Sequence, residues 1–323
     1  MKTVFDKTRI RSMSLKNRFI RAAVAEKTAD GQVHEDMVHL YTRLAQGGAG
    51  TLITGFTLVD EAEQAFPLLA CYHDSFCQGH KTLTQAVHEH DTNIILQLVY
   101  VGSYVMGDAR GMTILAPSAV EHVTSKVLPQ EISIAQIKHI QNKFAQAALR
   151  AKQAGYDGIE IHGAHGFLLS QFMTPYYNRR TDGYGGSVQN RARMLVETYE
   201  TIREAVGDDF PVLIKINVTD GFEEGVSFED VLYLCRVLTG KGIDAIETSG
   251  PWQRFSPEAS SFYKQEAARI AAENDTNIIM TGGNKDVHEM TAILHTTSIA
   301  YFGMARALMR EPGLIARFAP HEL

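Results

Sequence analysis

Two histidines stand three residues apart in the segment IHGAHGF, directly after an apolar run. His162 and His165 could present ring N–H donors together to one anionic or carbonyl oxygen, which is the chemistry of an electrophilic clamp. As metal ligands they would need a third nitrogen or carboxylate, and the sequence has no HExxH or paired-Asp pattern to supply one. The alternative is a pair of hydrogen-bonded loop histidines with a structural role.

Two further polar residues interrupt apolar segments that have the character of strands. Lys215 lies in VLIKIN, where a period of two places it on one face with Leu213 and Asn217. A Lys in such a strand is costly unless an anion meets it, so we expect either a ligand with a negative edge or a buried Asp or Glu. Gln97, in ILQLVY, could serve a ligand amide edge or only a neighbouring backbone group.

Glycines and a cation follow the last two apolar runs, in TGGNK and FGMAR. Gly283 and Gly303 let backbone N–H groups approach an oxyanion closely, and Arg306 can add a bidentate contact. Two such segments favour phosphate binding over turn formation alone.

These residues need a fold that brings them together, and the order of apolar runs and helical periods predicts one. Near-continuous apolar strands such as NIILQL suit a parallel sheet that is buried on both faces and connected by helices. Eight such units predict an α/β fold, a (β/α)₈ TIM barrel, as a single domain over residues 1–323. The alternative, an open doubly wound sheet, lacks its Gly-rich loop after the first strand, where AAVA stands instead.

The predicted strands are Phe19–Ala23, Gly50–Thr54, Asn93–Val99, Gly158–His162, Val212–Asn217, Ala245–Ser249, Asn277–Thr281 and Ile299–Phe302. The predicted helices are Asp36–Gln46, Ser75–His90, Ser133–Ala154, Asn190–Val206, Phe228–Gly240, Phe262–Asn274, Asp286–His295 and Pro312–Phe318. The active site of such a barrel lies at the carboxyl ends of its strands, and loops seven and eight are its usual phosphate site. His162, His165, Gly283, Gly303 and Arg306 fall at or after the ends of predicted strands, on that face.

The composition limits the classes of protein. The 323 residues are 45% hydrophobic and 21% charged, as in ordinary globular proteins. The formal charge of −6 comes without a basic stripe, so we expect no nucleic acid partner. The sequence has no apolar run that would make a signal peptide or a membrane span, so we expect neither. Three cysteines without a CxxC pair argue against disulfides, zinc and iron–sulfur clusters, and they suit a cytoplasmic protein.

Long segments of the chain, in order, resemble the old yellow enzyme family of FMN-dependent NAD(P)H oxidoreductases. They are KNRFIRAAVAEKTADG, ILQLVYVGSY, AGYDGIEIHGAHGFLLSQFMTPYYNRRTDGYGGSVQNRARMLVET, VLIKIN, IETSG, MTGGNK and FGMARALMREP. The stretch HGAHGFLLSQFMTPYYNRRTDGYGGSVQNR is the most specific. The resemblance implies a barrel that binds FMN noncovalently at its mouth and transfers hydride from NAD(P)H through flavin N5 to an activated alkene, quinone or other small acceptor.

The resemblance also implies a role for each candidate residue. The flavin ring would be approached by Ala22, Ala23, Ala25 and Gly55, with Gln97 at its pyrimidine edge and Lys215 at its N1–O2 edge. The phosphate would be held by Gly283, Gly303, Ala305 and Arg306. The acceptor's oxygen would be bound by His162 and His165. We expect no metal ligands and no further partner, although the chain could form a homo-oligomer.

Three departures from the family pattern leave alternatives open. Phe167 stands where many members carry a Tyr that delivers a proton to the substrate, Ala25 replaces a Thr or Cys near flavin O4, and Tyr100 replaces a His. The neighbouring phenols that could deliver a proton instead belong to Tyr100, Tyr104, Tyr176 and Tyr177. One alternative function is therefore an NAD(P)H oxidase or flavin-binding protein with little alkene reduction. An alternative of another class is a metal-assisted hydrolase that uses His162 and His165.

Overall fold

The computed structural model describes residues 2–105, 107–108, 110–251 and 260–319. Within these residues, eight parallel strands close into a barrel, and helices run between most consecutive strands. The predicted (β/α)₈ barrel is therefore confirmed. None of the described helices combines the length and hydropathy that a membrane-spanning segment needs.

The described strands are β1 (Thr8–Ile10), β2 (Met13–Leu15), β3 (Phe19–Arg21), β4 (Thr51–Ile53), β5 (Thr57–Leu58), β6 (Leu69–Ala70), β7 (Asn93–Val99), β8 (Leu115–Ala116), β9 (Gln130–Glu131), β10 (Gly158–Gly163), β11 (Val212–Asn217), β12 (Ala245–Ser249), β13 (Asn277–Thr281) and β14 (Tyr301–Met304). The described α-helices are α1 (Glu35–Gln46), α2 (Cys77–His88), α3 (Ile134–Gln153), α4 (Leu168–Met173), α5 (Val188–Val206), α6 (Phe228–Gly240), α7 (Lys264–Glu273), α8 (Val287–Thr296), α9 (Arg306–Arg310) and α10 (Leu314–Phe318).

The barrel strands are β3, β4, β7, β10, β11, β12, β13 and β14, in that order around the barrel, and β14 pairs with β3 to close it. β7, β11, β12 and β13 have the predicted bounds, while the other barrel strands differ from prediction by up to two residues at either end. The last strand begins at Tyr301 rather than Ile299. The sequence analysis missed the hairpin of β1 and β2, the short strands β5, β6, β8 and β9, and the short helices α4 and α9.

Alternation along each barrel strand separates two cores. Leu213 packs inside the barrel with Ile53, Ile95 and Ile279, whereas its neighbours in β11 face the helices. Ile10 and Leu15 of the β1–β2 hairpin belong to the same interior cluster and fill the amino-terminal end. The carboxyl end of the barrel is therefore the end that is available for a site.

Two arginines hold the long segment between β10 and α5. Arg180 donates to the carbonyl oxygens of Pro117 at 2.9 Å and Ile132 at 2.6 Å, so it ties this segment to the loop after β7. Arg191 donates to the carbonyl of Met173 at 3.0 Å and pairs with Asp230 at 2.5 Å. Both arginines are buried, which indicates that much of the NRRTDGYGGSVQNR stretch positions the loops around the barrel mouth.

Candidate active site

A cavity of about 530 Å³ opens at the carboxyl ends of the barrel strands. Its wall includes residues from the loops after β3, β10, β12, β13 and β14 together with part of α9. It is large enough to hold a ligand of cofactor size. Most of the candidate residues line it, namely Ala23, Ala25, His165, Lys215, Gly283, Gly303, Ala305 and Arg306.

Four candidate residues lie outside the cavity lining. Ala22 is buried in the barrel wall, where its N–H donates to the carbonyl of Met304 at 3.1 Å. The N–H of Gly55 donates to Glu26 at 2.8 Å. Gln97 and His162 are also buried, each in contact with residues that lie at or near the cavity.

His162 lies in β10 with a ring that is 1% exposed. The backbone N–H of Ala164 donates to its Nδ1 at 3.2 Å, which makes Nδ1 the acceptor and places the proton of a neutral ring on Nε2. Burial lowers the His162 pKa well below its usual value, and the charges of His165 and Lys215 lower it further. Nε2 is buried and has no hydrogen-bond partner among the described residues. His162 thus offers an unsatisfied donor at the mouth of the barrel.

His165 lies in the turn that follows β10 and lines the cavity. Its backbone φ of 60° is in the left-handed region, and the next residue, Gly166, has φ 79°. The side-chain oxygen of Asn217 accepts the His165 backbone N–H at 3.1 Å, while the ring Nε2 lies 2.9 Å from Ser249 Oγ. Burial and the charge of Lys215 lower the His165 pKa well below its usual value. The two histidine rings meet edge to face with centroids 5.1 Å apart.

Lys215 reaches the cavity from the middle of β11 and is 3% exposed. Its Nζ lies 2.7 Å from Oε1 of Glu247, the residue in register with it on β12. The structure therefore contains the buried carboxylate that the sequence analysis left as an alternative for this Lys. Since Lys215 also lines the cavity, a ligand edge remains within its reach.

Gln97 points into the barrel from β7 and is fully buried. Its Nε2 donates at 2.5 Å to Glu160, its register partner on β10, whereas its Oε1 has no partner within the described part of the chain. Burial raises the pKa of Glu160 well above its usual range, and the adjacent Glu247 adds to the rise. Gln97 thus contacts a side chain, and not only the backbone, and it keeps one acceptor for another group.

The loops after β13 and β14 pack closely against each other. A Cβ on Gly303 would lie 1.7 Å from Thr281 Oγ1, so only glycine leaves room there. Gly283 has φ 81°, which glycine adopts without strain. Asn284 donates to the carbonyls of Met280 at 2.7 Å and Gly303 at 2.9 Å, and so joins the two loops. These loops present backbone beside Arg306 at one end of the cavity.

Aromatic side chains surround the end of the cavity that lies near His162 and His165. Phe167 is fully buried, with ring centroids 4.7 Å from His162, 5.2 Å from Phe56 and 5.3 Å from Tyr104. Of the alternative phenols, Tyr104 therefore contacts Phe167 directly, with the two rings tilted by 51°. Tyr177 stacks on His122, Tyr176 contacts Tyr177, and Tyr100 is buried in the outer core.

Several cavity residues were not predicted as site residues. Ser249 and Gly250 end the sixth predicted strand, so their position alone could have identified them. The others are Val24, Phe56, Phe262, Tyr263, Thr281, Gly282, Asn284, Lys285, Met304, Ala307, Met309 and Arg310. Within the described residues, no three His, Cys, Asp or Glu side chains are grouped so that they could hold a metal ion.

Comparison with known proteins gives a consistent result. The sequence model of the NADH:flavin oxidoreductase / NADH oxidase family matches residues 3–322. A metal reductase of Desulforamulus reducens is 30% identical over 323 residues, which cover 97% of this chain and 48% of the relative. An NADH oxidase of Thermoanaerobacter brockii is 34% identical over 251 residues, which cover 76% of this chain and 39% of the relative. The chain thus spans about half the length, or less, of these two relatives.

Among solved structures, morphinone reductase superposes with a TM-score of 0.84 at 25% sequence identity. The match covers 98% of this chain and 89% of that protein. The similarity therefore extends over the barrel and the loops that surround its mouth.

Proposed function

The chain belongs to the NADH:flavin oxidoreductase / NADH oxidase family, and we propose that it is an FMN-dependent oxidoreductase that passes hydride from NAD(P)H to a small-molecule acceptor. One observation carries the proposal. A single cavity joins glycine loops and Arg306 at one end to His165 at the other, with Lys215 also in its wall. We further propose that residues 1–323 act as one FMN-binding domain.

The loops after β13 and β14 suit the FMN phosphate. Neighbouring atoms leave no room for a side chain at Gly283 or Gly303. The backbone at these two glycines can therefore approach phosphate oxygens closely. Arg306 adds a guanidinium that can bind two phosphate oxygens, and Ala305 precedes it at the start of α9. Lys285 and Arg310 also line this part of the cavity and add positive charge.

The interior of the barrel suits the flavin ring. The unpartnered Oε1 of Gln97, within the described structure, would accept an N–H of the pyrimidine edge, and Lys215 would face the N1–O2 edge. Ala23 and Ala25 line the cavity and leave room for the ring, whereas Ala22 and Gly55 lie outside the lining and would act through their backbone. Bound FMN would supply two-electron hydride chemistry, which none of the protein side chains can supply.

The histidines would bind the acceptor. Because both rings are neutral, each has one N–H, and the proton of His162 is on Nε2. Donation from these rings to a carbonyl oxygen stabilises the negative charge that develops there when hydride reaches the conjugated carbon. The acceptor class is therefore an activated alkene or a quinone, whose oxygen gains charge in this way.

The comparisons do not favour the alternative functions. A metal-assisted hydrolase would be an unusual member of a flavin oxidoreductase family, and a protein that only binds flavin would not require the unsatisfied donor of His162. Our proposal includes both NADH and NADPH as reductants. It also includes a cytoplasmic location, which the three free cysteines suit. Finally, it includes a homo-oligomer, which sedimentation can measure.

The proposal is tested by loading the purified protein with FMN and following flavin absorbance. Anaerobic stopped-flow reduction by NADH and by NADPH measures the first half-reaction. Mixing the reduced protein with a cyclic enone, a quinone or oxygen measures the second. We expect saturable reduction by at least one nicotinamide and reoxidation by an enone or a quinone. Failure to bind FMN, or binding without reduction by either nicotinamide, would overturn the proposal.

A further inference from the structure

Four polar side chains meet inside the barrel at the level of Lys215. Gln97, Glu160, Lys215 and Glu247 come from the consecutive barrel strands β7, β10, β11 and β12. Two register pairs make up the group, Gln97 beside Glu160 and Lys215 beside Glu247. No member is more than 3% exposed, so water does not screen their charges.

The group holds one ammonium and two carboxyls. Lys215 Nζ lies 2.7 Å from Glu247, and Glu160 receives the Gln97 amide at 2.5 Å, while Glu160 Oε1 and Glu247 Oε2 are buried without a hydrogen-bond partner in the described part of the chain. A proton on one of the two carboxyls would give these oxygens a donor. Two ionised carboxylates in buried contact would repel each other, and a single Lys cannot balance both.

We infer that Glu160 and Glu247 together hold one proton and one negative charge, and that this charge balances Lys215 and lowers the reduction potential of bound FMN. The inference rests on the proposed function, because it takes Lys215 to be the residue that faces the flavin. Glu247 is then a positioning residue that acts through Lys215, and Glu160 shares the proton with Glu247.

The effect on the potential follows from charge. Hydride adds two electrons and one proton to the flavin, whose N1–O2 edge becomes negative, and the proton shared by the carboxyls stays where it is. A Lys with no anionic partner would stabilise that negative edge with its full charge. A Lys paired with a carboxylate stabilises it less, so the oxidised flavin is favoured.

The shared proton can be tested on the protein without cofactor. Infrared spectra of the wild type at neutral pH should contain the C=O stretch of a buried protonated carboxylic acid. Glu160→Gln should remove the band of one carboxylic acid, seen in the difference between the wild-type and variant spectra, because the remaining Glu247 is then the ionised partner of Lys215. Burial also raises the pKa of Glu63 to about 8, and its band, common to both spectra, cancels in the difference. Absence of a carboxylic acid band from the difference spectrum would overturn the inference, whether or not FMN binds.

The charge balance is tested through the midpoint potential of the FMN-loaded protein. Glu160→Gln is the matched control: it removes a carboxyl but leaves the single negative charge on Glu247, so the equilibrium ratio of reduced to oxidised flavin should stay within about threefold. The double variant, which combines Glu160→Gln with Glu247→Gln, removes that charge. The ratio should rise at least tenfold, which for a two-electron couple is about 30 mV.

Two results of this measurement would overturn the inference. One is a rise of tenfold or more in the control, which would mean that Glu160 itself carries a negative charge. The other is no rise in the double variant. If the double variant does not fold, as judged by circular dichroism, the infrared comparison decides. Failure of all variants and the wild type to bind FMN would instead refute the proposed function and leave the infrared test in force.

Discussion

Replacement of His162 by Ala tests whether its donor acts on the acceptor. His162 is 1% exposed, and its Nε2 has no hydrogen-bond partner among the described residues, so this donor is kept away from bulk water. Loss of one donor from such a preorganised site typically lowers the rate by about 10²–10³, or about 2.7–4 kcal/mol. The Ala variant also leaves a space beside Phe56 and Phe167. A water molecule could enter this space and partly replace the lost donor. We therefore expect a loss near the lower limit, about 10²-fold.

The assay is anaerobic stopped-flow reoxidation of prereduced His162→Ala by a saturating cyclic enone. FMN content and the rate of reduction by NAD(P)H serve as internal controls and should change little. His162→Asn is the matched variant, because its amide keeps an N–H donor, and it should lose much less than the Ala variant. Reoxidation of His162→Ala at the wild-type rate with several enones would refute the role of this donor. Equal losses in both variants would attribute the effect to packing.

Four further predictions concern the cofactor, the pH profile, proton delivery and the scaffold. Arg306→Ala should weaken FMN binding about ten- to hundredfold, as expected for a lost contact of about 1.5–3 kcal/mol. Fluorescence titration measures the FMN affinity. An unchanged affinity would remove Arg306 from the phosphate site. Burial and Lys215 hold the His162 and His165 pKa values well below 6.5, so both rings stay neutral above those lowered values. The rate of enone reduction should therefore be flat between about pH 5.5 and 8, whereas a break near 6.5 would contradict the neutral assignment. Phe167→Tyr should speed enone reduction by at least about 10²-fold without altering flavin reduction, because it adds a general acid; an unchanged turnover would mean that the proton already arrives by another route. Arg180→Ala leaves two buried carbonyls without their donor and should cost about 3 kcal/mol in urea unfolding, while a loss below about 0.5 kcal/mol would show that the loop does not depend on it.

The barrel could be predicted because its signals are local. Parallel strands buried on both faces are continuous apolar runs, and four of the barrel strands, β7, β11, β12 and β13, were predicted with their observed bounds. The elements that were missed are two- to six-residue strands and helices in the loops. Short segments of this kind owe their conformation to tertiary contacts, such as those of Arg180 and Arg191, and the local pattern does not encode them.

The site was predicted in part. Period two placed Lys215 inside the barrel, and its burial required an anion, but the pattern could not choose between a ligand and Glu247. Both choices have support, because Lys215 contacts Glu247 and also lines the cavity. The partner could have been found from IETSG, in which Glu247 is a second charged residue at the matching position of the next apolar strand. Ser249, the partner of His165, needed the register between β11 and β12 to be known.

The most specific stretch of the sequence combines two kinds of residue with different consequences for function. Its first part, HGAHGF, supplies His162 and His165, whereas its second part, NRRTDGYGGSVQNR, holds loops through buried arginines. The stretch therefore joins residues that hold the fold to the two histidines that we propose bind the acceptor. Phe56 and Phe167 contact the His162 ring edge to face, and Tyr104 contacts Phe167 from a third loop. Because these aromatic residues come from three loops and not from the barrel strands, the choice of acceptor can change while the cofactor site stays the same.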